Sequence, residues 1–118
     1  MNNPKKYDLE DRTFIFSQKI RSFIKQIPHT INNIEDLKQL VRSSGSVGAN
    51  YIEANEALSK KDFIMRIKIS RKEAKESRYW LNLIDVNSDL TLKNEKAVLV
   101  NESTELMNIF GAIVRKSE

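Results

Sequence analysis

Between Ser43 and Ala54 the chain reads Ser-Ser-Gly-Ser-Val-Gly-Ala-Asn-Tyr-Ile-Glu-Ala, and small residues fill the first half of that run. Leu37, Leu40 and Val41 precede it at helical spacing, and Tyr51 to Leu58 reads as helix after it. The economical reading is one long helix whose middle is stripped of bulk. Each glycine there costs about 1 kcal/mol relative to alanine, so a compensating gain is expected. Small side chains at Gly48 and Ala49 would let a neighbouring backbone come close. A loop between two short helices is the competing reading, because glycine and serine also build turns.

The rest of the chain supplies partners for such a helix. From Asp8, the residues Leu9, Phe16, Ile20, Phe23, Ile24 and Ile27 fall on one helical face, and Pro28 ends it. His29 to Asn33 reads as a turn, with Asn33 as N-cap of a second helix running to about Leu58. Ser59 caps a third helix, with Asp62 three residues on. Its seam is Phe63, Ile67, Ser70, Ala74, Ser77, Leu81 and Ile84, at spacings of four and three. Asp85 to Asp89 is a turn. A fourth helix carries Leu92, Leu99, Ser103, Leu106, Phe110 and Ile113 and is expected to fray near Arg115. The prediction is an all-α fold, an antiparallel up-down-up-down four-helix bundle over residues 8–118, preceded by a basic tail at 1–7 with Lys5 and Lys6.

Composition removes several classes of function. The chain of 118 residues has room for one core, and its 31% of charged residues suits a folded helical protein. No apolar run approaches the roughly 20 residues of a bilayer span, and the first residues lack the apolar core of a secretory signal, so no membrane and a cytoplasmic place are expected. With no cysteine, thiolate chemistry and cysteine-ligated zinc are excluded. Glu53 with Glu56 and Glu73 with Glu76 are i, i+3 carboxylate pairs, but a di-iron bundle needs two Glu-x-x-His motifs and His29 is the sole histidine. The same count undercuts a Ser-His-Asp triad. Gly45 and Gly48 lack the Gly-Lys-Ser/Thr ending of a phosphate loop. The chain therefore reads as a non-enzyme with no catalytic residue, no metal and no cofactor. Glu53 and Glu73 are expected to pair with arginines such as Arg42 or Arg78, and Asn50 to fix helix register by a buried hydrogen bond.

Placed on a helical wheel, residues 61–84 show three surfaces. Beside the seam runs a second apolar strip, Met65, Ile69, Trp80 and Leu83, with Glu76 among them. A bundle helix needs one buried stripe, so the second points to subunit contact in a homo-oligomer; a wide core-facing stripe is the alternative. The third surface is basic: Lys61, Lys68, Lys72 and Lys75 share an arc, with Arg71 and Arg78 beside it. From Ser59 to Trp80, eight Lys or Arg face three Asp or Glu, a surplus of five against +4 for the whole chain. Such a stripe attracts RNA or DNA through phosphates, or is a solvated face loosely neutralised by pairs such as Lys72 with Glu76.

Two stretches carry a resemblance. Ser46-Val47-Gly48-Ala49-Asn50-Tyr51-Ile52-Glu53-Ala54 resembles the signature S-V-G-A-N-Y-x-E-A, while Ser59-Lys60-Lys61-Asp62-Phe63 and Lys72-Glu73-Ala74-Lys75-Glu76-Ser77-Arg78-Tyr79-Trp80-Leu81 resemble S-K-K-D-F and K-E-A-x-E-x-x-Y-W-L. These are signatures of the four-helix-bundle proteins of ribosomal RNA intervening sequences, a family that includes the accessory variability proteins of diversity-generating retroelements. The resemblance spans about Asp8 to Arg115 and implies a homopentameric ring of bundles. Gly48, Ala49, Asn50, Tyr51, Glu53 and Glu73 fall on the motif and are expected to be structural. In the retroelement branch the resemblance implies a basic surface that binds nucleic acid and a reverse transcriptase. Two functional expectations follow: an oligomeric nucleic-acid-binding scaffold, or a protein–protein adaptor ring whose basic face serves solubility.

Overall fold

The computed structural model describes residues 8–118, so the basic tail expected at 1–7 lies outside the described residues. Four helices follow one another: α1 (Leu9–Lys25), α2 (Ile31–Asn55), α3 (Lys60–Leu83) and α4 (Leu90–Ser117). They form an antiparallel up-down-up-down four-helix bundle, and no strand occurs among the described residues. The most extensive contact joins α2 to α3, followed by α3 to α4 and α1 to α2. The contact between α1 and α4 is the thinnest.

Local chemistry sets the helix ends. Asp8 caps α1 by accepting a hydrogen bond from the Asp11 N–H at 2.8 Å, and Glu10 and Asp11 lie in the first turn where the dipole favours them. Ser59 caps α3 by accepting from the Asp62 N–H at 3.1 Å. Asp89 caps α4 by accepting from the Leu92 N–H at 3.0 Å. In the turn before α4, Asn87 takes a left-handed φ of 58°, which asparagine tolerates, and its N–H donates to Asp85 Oδ1 at 2.7 Å. The C-terminus of α3 has no basic residue of its own in its last turn. Lys96 of α4 fills that role, its Nζ donating to the carbonyls of Asn82 and Ile84 at 3.2 and 2.9 Å.

Three boundaries and one seam position depart from sequence expectation. The N-cap of α2 is Thr30, without a side-chain bond, while Asn33 lies inside the first turn and is buried. Its amide is taken by tertiary partners: Nδ2 donates to the carbonyls of Pro28 and Asp85, and Oδ1 accepts from the Asp85 N–H. Helix α2 ends at Asn55, not near Leu58, and α4 runs on to Ser117 instead of fraying at Arg115. Phe63, placed in the α3 seam by spacing, is only partly buried, and Glu73 enters the buried face instead.

The helix α2 is continuous through Gly45 and Gly48, which excludes a loop there. Its small residues lie on two sides. Toward α3, Ser43 and Ser77 share a hydrogen bond of 2.9 Å, and Ser70 Oγ donates to the Val47 carbonyl at 2.9 Å. Toward α1, a Cβ on Gly48 would stand 2.9 Å from Thr13 Oγ1 and 3.2 Å from Thr13 Cβ. The core proper is Phe16, Ile20, Phe23, Leu40, Val47, Ile67, Leu81, Leu106 and Phe110, each at most 1% exposed. Full burial of one such large side chain is worth about 1.5–3 kcal/mol. Helix α4 is long and apolar enough to cross a membrane by length and composition alone, a test that the core helix of a bundle also meets. Its apolar residues have a place here: Leu92, Leu99, Leu106, Phe110 and Val114 are buried in the bundle.

Candidate nucleic-acid interface

Helix α3 packs against α2 on one flank and α4 on the other, so its outward arc is what remains for other molecules. The flanks are fixed by polar contacts. On the α2 side, Arg66 Nη1 donates to Asn50 Oδ1 at 3.0 Å, and Asn50 Nδ2 returns to the Ser46 carbonyl of its own helix. On the α4 side, Arg78 Nη1 donates to Thr104 Oγ1 at 3.1 Å.

This placement divides the six cations singled out on α3. Lys61, Lys68, Lys72 and Lys75 are exposed on the outward arc, whereas Arg71 and Arg78 are half-buried along the α4 seam. Lys68 Nζ stands 3.6 Å from Glu118 Oε2, and Lys72 lies 4.0 Å from both Glu73 and Glu76. Lys61 and Lys75 have no carboxylate within 4.0 Å among the described residues. Exposed ion pairs of this kind are weak, so most of the positive charge stays available. Tyr79, which the reading of charges passes over, belongs to this surface. It is 58% exposed, one turn beyond Lys75, and holds the Trp80 ring edge-on at 5.0 Å. Lysines interleaved with an exposed aromatic ring suit a phosphate backbone with unstacked bases.

The apolar strip expected to join subunits lies on the α2 side of this arc. Met65 and Leu83 are each 49% exposed, while Ile69 and Trp80 are half-buried. Trp80 packs against the core, and its buried Nε1 has no acceptor among the described residues. Glu73 is nearly buried, with Oε1 unpartnered among the described residues. No arginine hydrogen-bonds it; burial and the neighbouring Glu76 raise its pKa above the ordinary carboxylate range, against the pull of Lys72 and Arg42. Glu53 is exposed and unpaired among the described residues, so the expected arginine pairs are not formed. Ala49 is exposed, and Tyr51 reaches across the bundle to Phe110, ring centroids 6.0 Å apart. Among the described residues, no three of His, Asp or Glu gather as a metal site would require.

Comparison with known proteins agrees with this architecture. No curated protein matches the chain. A crystal structure of a protein with unknown function from the S23 ribosomal protein family of Bacteroides thetaiotaomicron VPI-5482 superposes with a TM-score of 0.79 at 31% identity, covering 91% of this chain and 98% of that one. The family model for 23S rRNA-intervening sequence proteins matches residues 5–112. With four helices in the expected order and a match over nearly the whole chain, the protein belongs to the 23S rRNA-intervening sequence protein family.

Proposed function

We propose that this chain is a non-enzymatic, ring-forming scaffold, pentameric and cytoplasmic, whose α3 surface binds RNA or DNA as accessory to a nucleic-acid enzyme such as a reverse transcriptase. The observation that carries the reading is the outward arc of α3, where Lys61, Lys68, Lys72 and Lys75 are exposed around Tyr79 with only loose carboxylate pairing. Phosphates favour such a surface without regard to base sequence. Repetition of the arc around a ring would multiply weak contacts on one strand. Met65 and Leu83, half exposed beside the arc, supply apolar area for the subunit contact.

Changing Lys68, Lys72 and Lys75 together to glutamine tests the reading. Binding to single-stranded and duplex probes should weaken alike, and the slope of log affinity against log salt should flatten by about 0.7 to 0.9 for each phosphate no longer neutralised. Helical content should hold, since these side chains leave the core untouched. Wild-type protein that binds neither RNA nor DNA in low salt would leave the protein–protein adaptor as the better reading.

A further inference from the structure

Gly111 is buried in α4 where that helix meets α3. A Cβ built on it would stand 3.4 Å from Arg115 Nη1 and 3.9 Å from Arg71 Nη1. Two guanidinium groups, one from each helix, therefore converge over a single glycine. Arg115 follows Gly111 by one helical turn on the same face, and Arg71 reaches it across the seam between α3 and α4.

The chain has seven arginines. Five have side-chain hydrogen bonds: Arg12 with Glu102 and Glu105, Arg21 with Ser17, Arg42 with Gln39, Arg66 with Asn50, and Arg78 with Thr104. Among the described residues, Arg71 and Arg115 make neither a hydrogen bond nor an ion pair. The two arginines without partners are thus the two brought together. Like charges gathered over one residue repel, and each fork keeps its donors free. The carboxylate of this end of the seam, Glu118, stands by Lys68. Arg71 is half-buried and Arg115 exposed, so solvent reaches both side chains, while Gly111 beneath them is buried.

We propose that Arg71 and Arg115 form a two-armed fork for a phosphate group, with the absent side chain of Gly111 letting both guanidinium groups lie close over α4. Planar guanidinium groups match phosphate oxygens two at a time, and an anion between two cations relieves their repulsion. That the phosphate belongs to a nucleic-acid strand rests on the proposed function; the fork itself rests on the geometry. The strand would then run along the seam of α3 and α4, with Lys75 one turn from Arg71 on the same side.

The full-length chain serves for the test, as wild type, Arg71→Gln and Arg115→Gln, with circular dichroism to confirm the helical content of each variant. Affinity for a labelled oligothymidylate is measured across a salt series, and the amide resonance of Gly111 is followed with Gly48, against Thr13 on the α1 side, as internal control. Each variant should lose about 0.7 from the salt slope for a single strand. The Gly111 resonance should move saturably with the oligonucleotide and with inorganic pyrophosphate, while Gly48 stays still. Movement with pyrophosphate alone would keep the fork, assign it to a small anion and remove the nucleic-acid strand. Unchanged slopes in both variants, together with a Gly111 resonance that pyrophosphate leaves in place, would overturn the fork even if wild-type protein binds the oligonucleotide.

Discussion

Asn33 holds Asp85 by both of its backbone groups: Oδ1 accepts from the Asp85 N–H and Nδ2 donates to the Asp85 carbonyl, each at 2.9 Å. The same Nδ2 reaches the Pro28 carbonyl at 3.1 Å. One amide thus ties the turn between α1 and α2 to the turn between α3 and α4. Asn33→Ala leaves three backbone groups without that partner and should cost about 2–4 kcal/mol. Asn33→Asp should do no better, because a carboxylate would face two carbonyls. A urea titration placing Asn33→Ala within about 0.5 kcal/mol of wild type would show that water replaces the amide.

Gly48 faces Thr13 of α1 at close range. A Cβ there meets Thr13 at 2.9 and 3.2 Å, and Thr13 is β-branched, buried and bonded through Oγ1 to the carbonyls of Leu9 and Glu10. It has little freedom to yield. Gly48→Leu should therefore lose about 1–3 kcal/mol from overpacking, outweighing a helix-propensity gain of about 1 kcal/mol. A variant more stable than wild type in urea would contradict this.

Glu73 gives the bundle a pH dependence of definite sign. Its folded pKa is raised, chiefly by burial, so the folded state holds this proton more tightly than the unfolded chain. The group therefore opposes folding above its folded pKa, and that penalty fades as pH falls toward the ordinary carboxylate range. Glu73→Gln should melt higher than wild type at neutral pH, the gap narrowing as the solution is acidified. Parallel melting curves across that window would mean the carboxylate is stabilised by a partner.

The subunit contact is best tested at its exposed members. Trp80 packs against the core, so replacing it would confuse assembly with folding. Met65 and Leu83 are half exposed, and the double change Met65→Asp with Leu83→Asp should lower oligomer mass in light scattering while the far-ultraviolet spectrum stays put. Wild-type protein that is monomeric at tens of micromolar, roughly where weak interfaces still associate, would dispose of the ring.

The four helices are legible in the sequence because periodicity and caps such as Ser59 are local, and local signals agree with the final packing. Asn33 imitates a cap for the opposite reason: one of its partners lies 52 residues away, and nothing near it in sequence announces that. The helical wheel separates the basic arc from the apolar strip correctly as directions. It does not say which cations α4 half covers, so it groups Arg71 and Arg78 with freely exposed lysines. Tyr79 is legible, since it follows Lys75 by four residues and Lys72 by seven and so shares their arc, but attention to charge alone passes over it. The meeting of Arg71 with Arg115 depends on the register between α3 and α4, which no single helix encodes.

The ordering of contacts around the bundle bears on how it assembles and where it first opens. Every extensive helix contact joins neighbours in sequence, and the one joining the ends of the chain, α1 with α4, is the thinnest. Short connections make sequential pairing entropically cheap, so the chain can zip from hairpin to hairpin, with the meeting of its first and last helices as the closing event. Arg12 then acts as a latch, bonding Glu102 and Glu105 across some ninety residues of chain. In the finished protein the same seam is the weakest joint, and backbone amides of α1 should exchange with solvent ahead of those in α2 and α3.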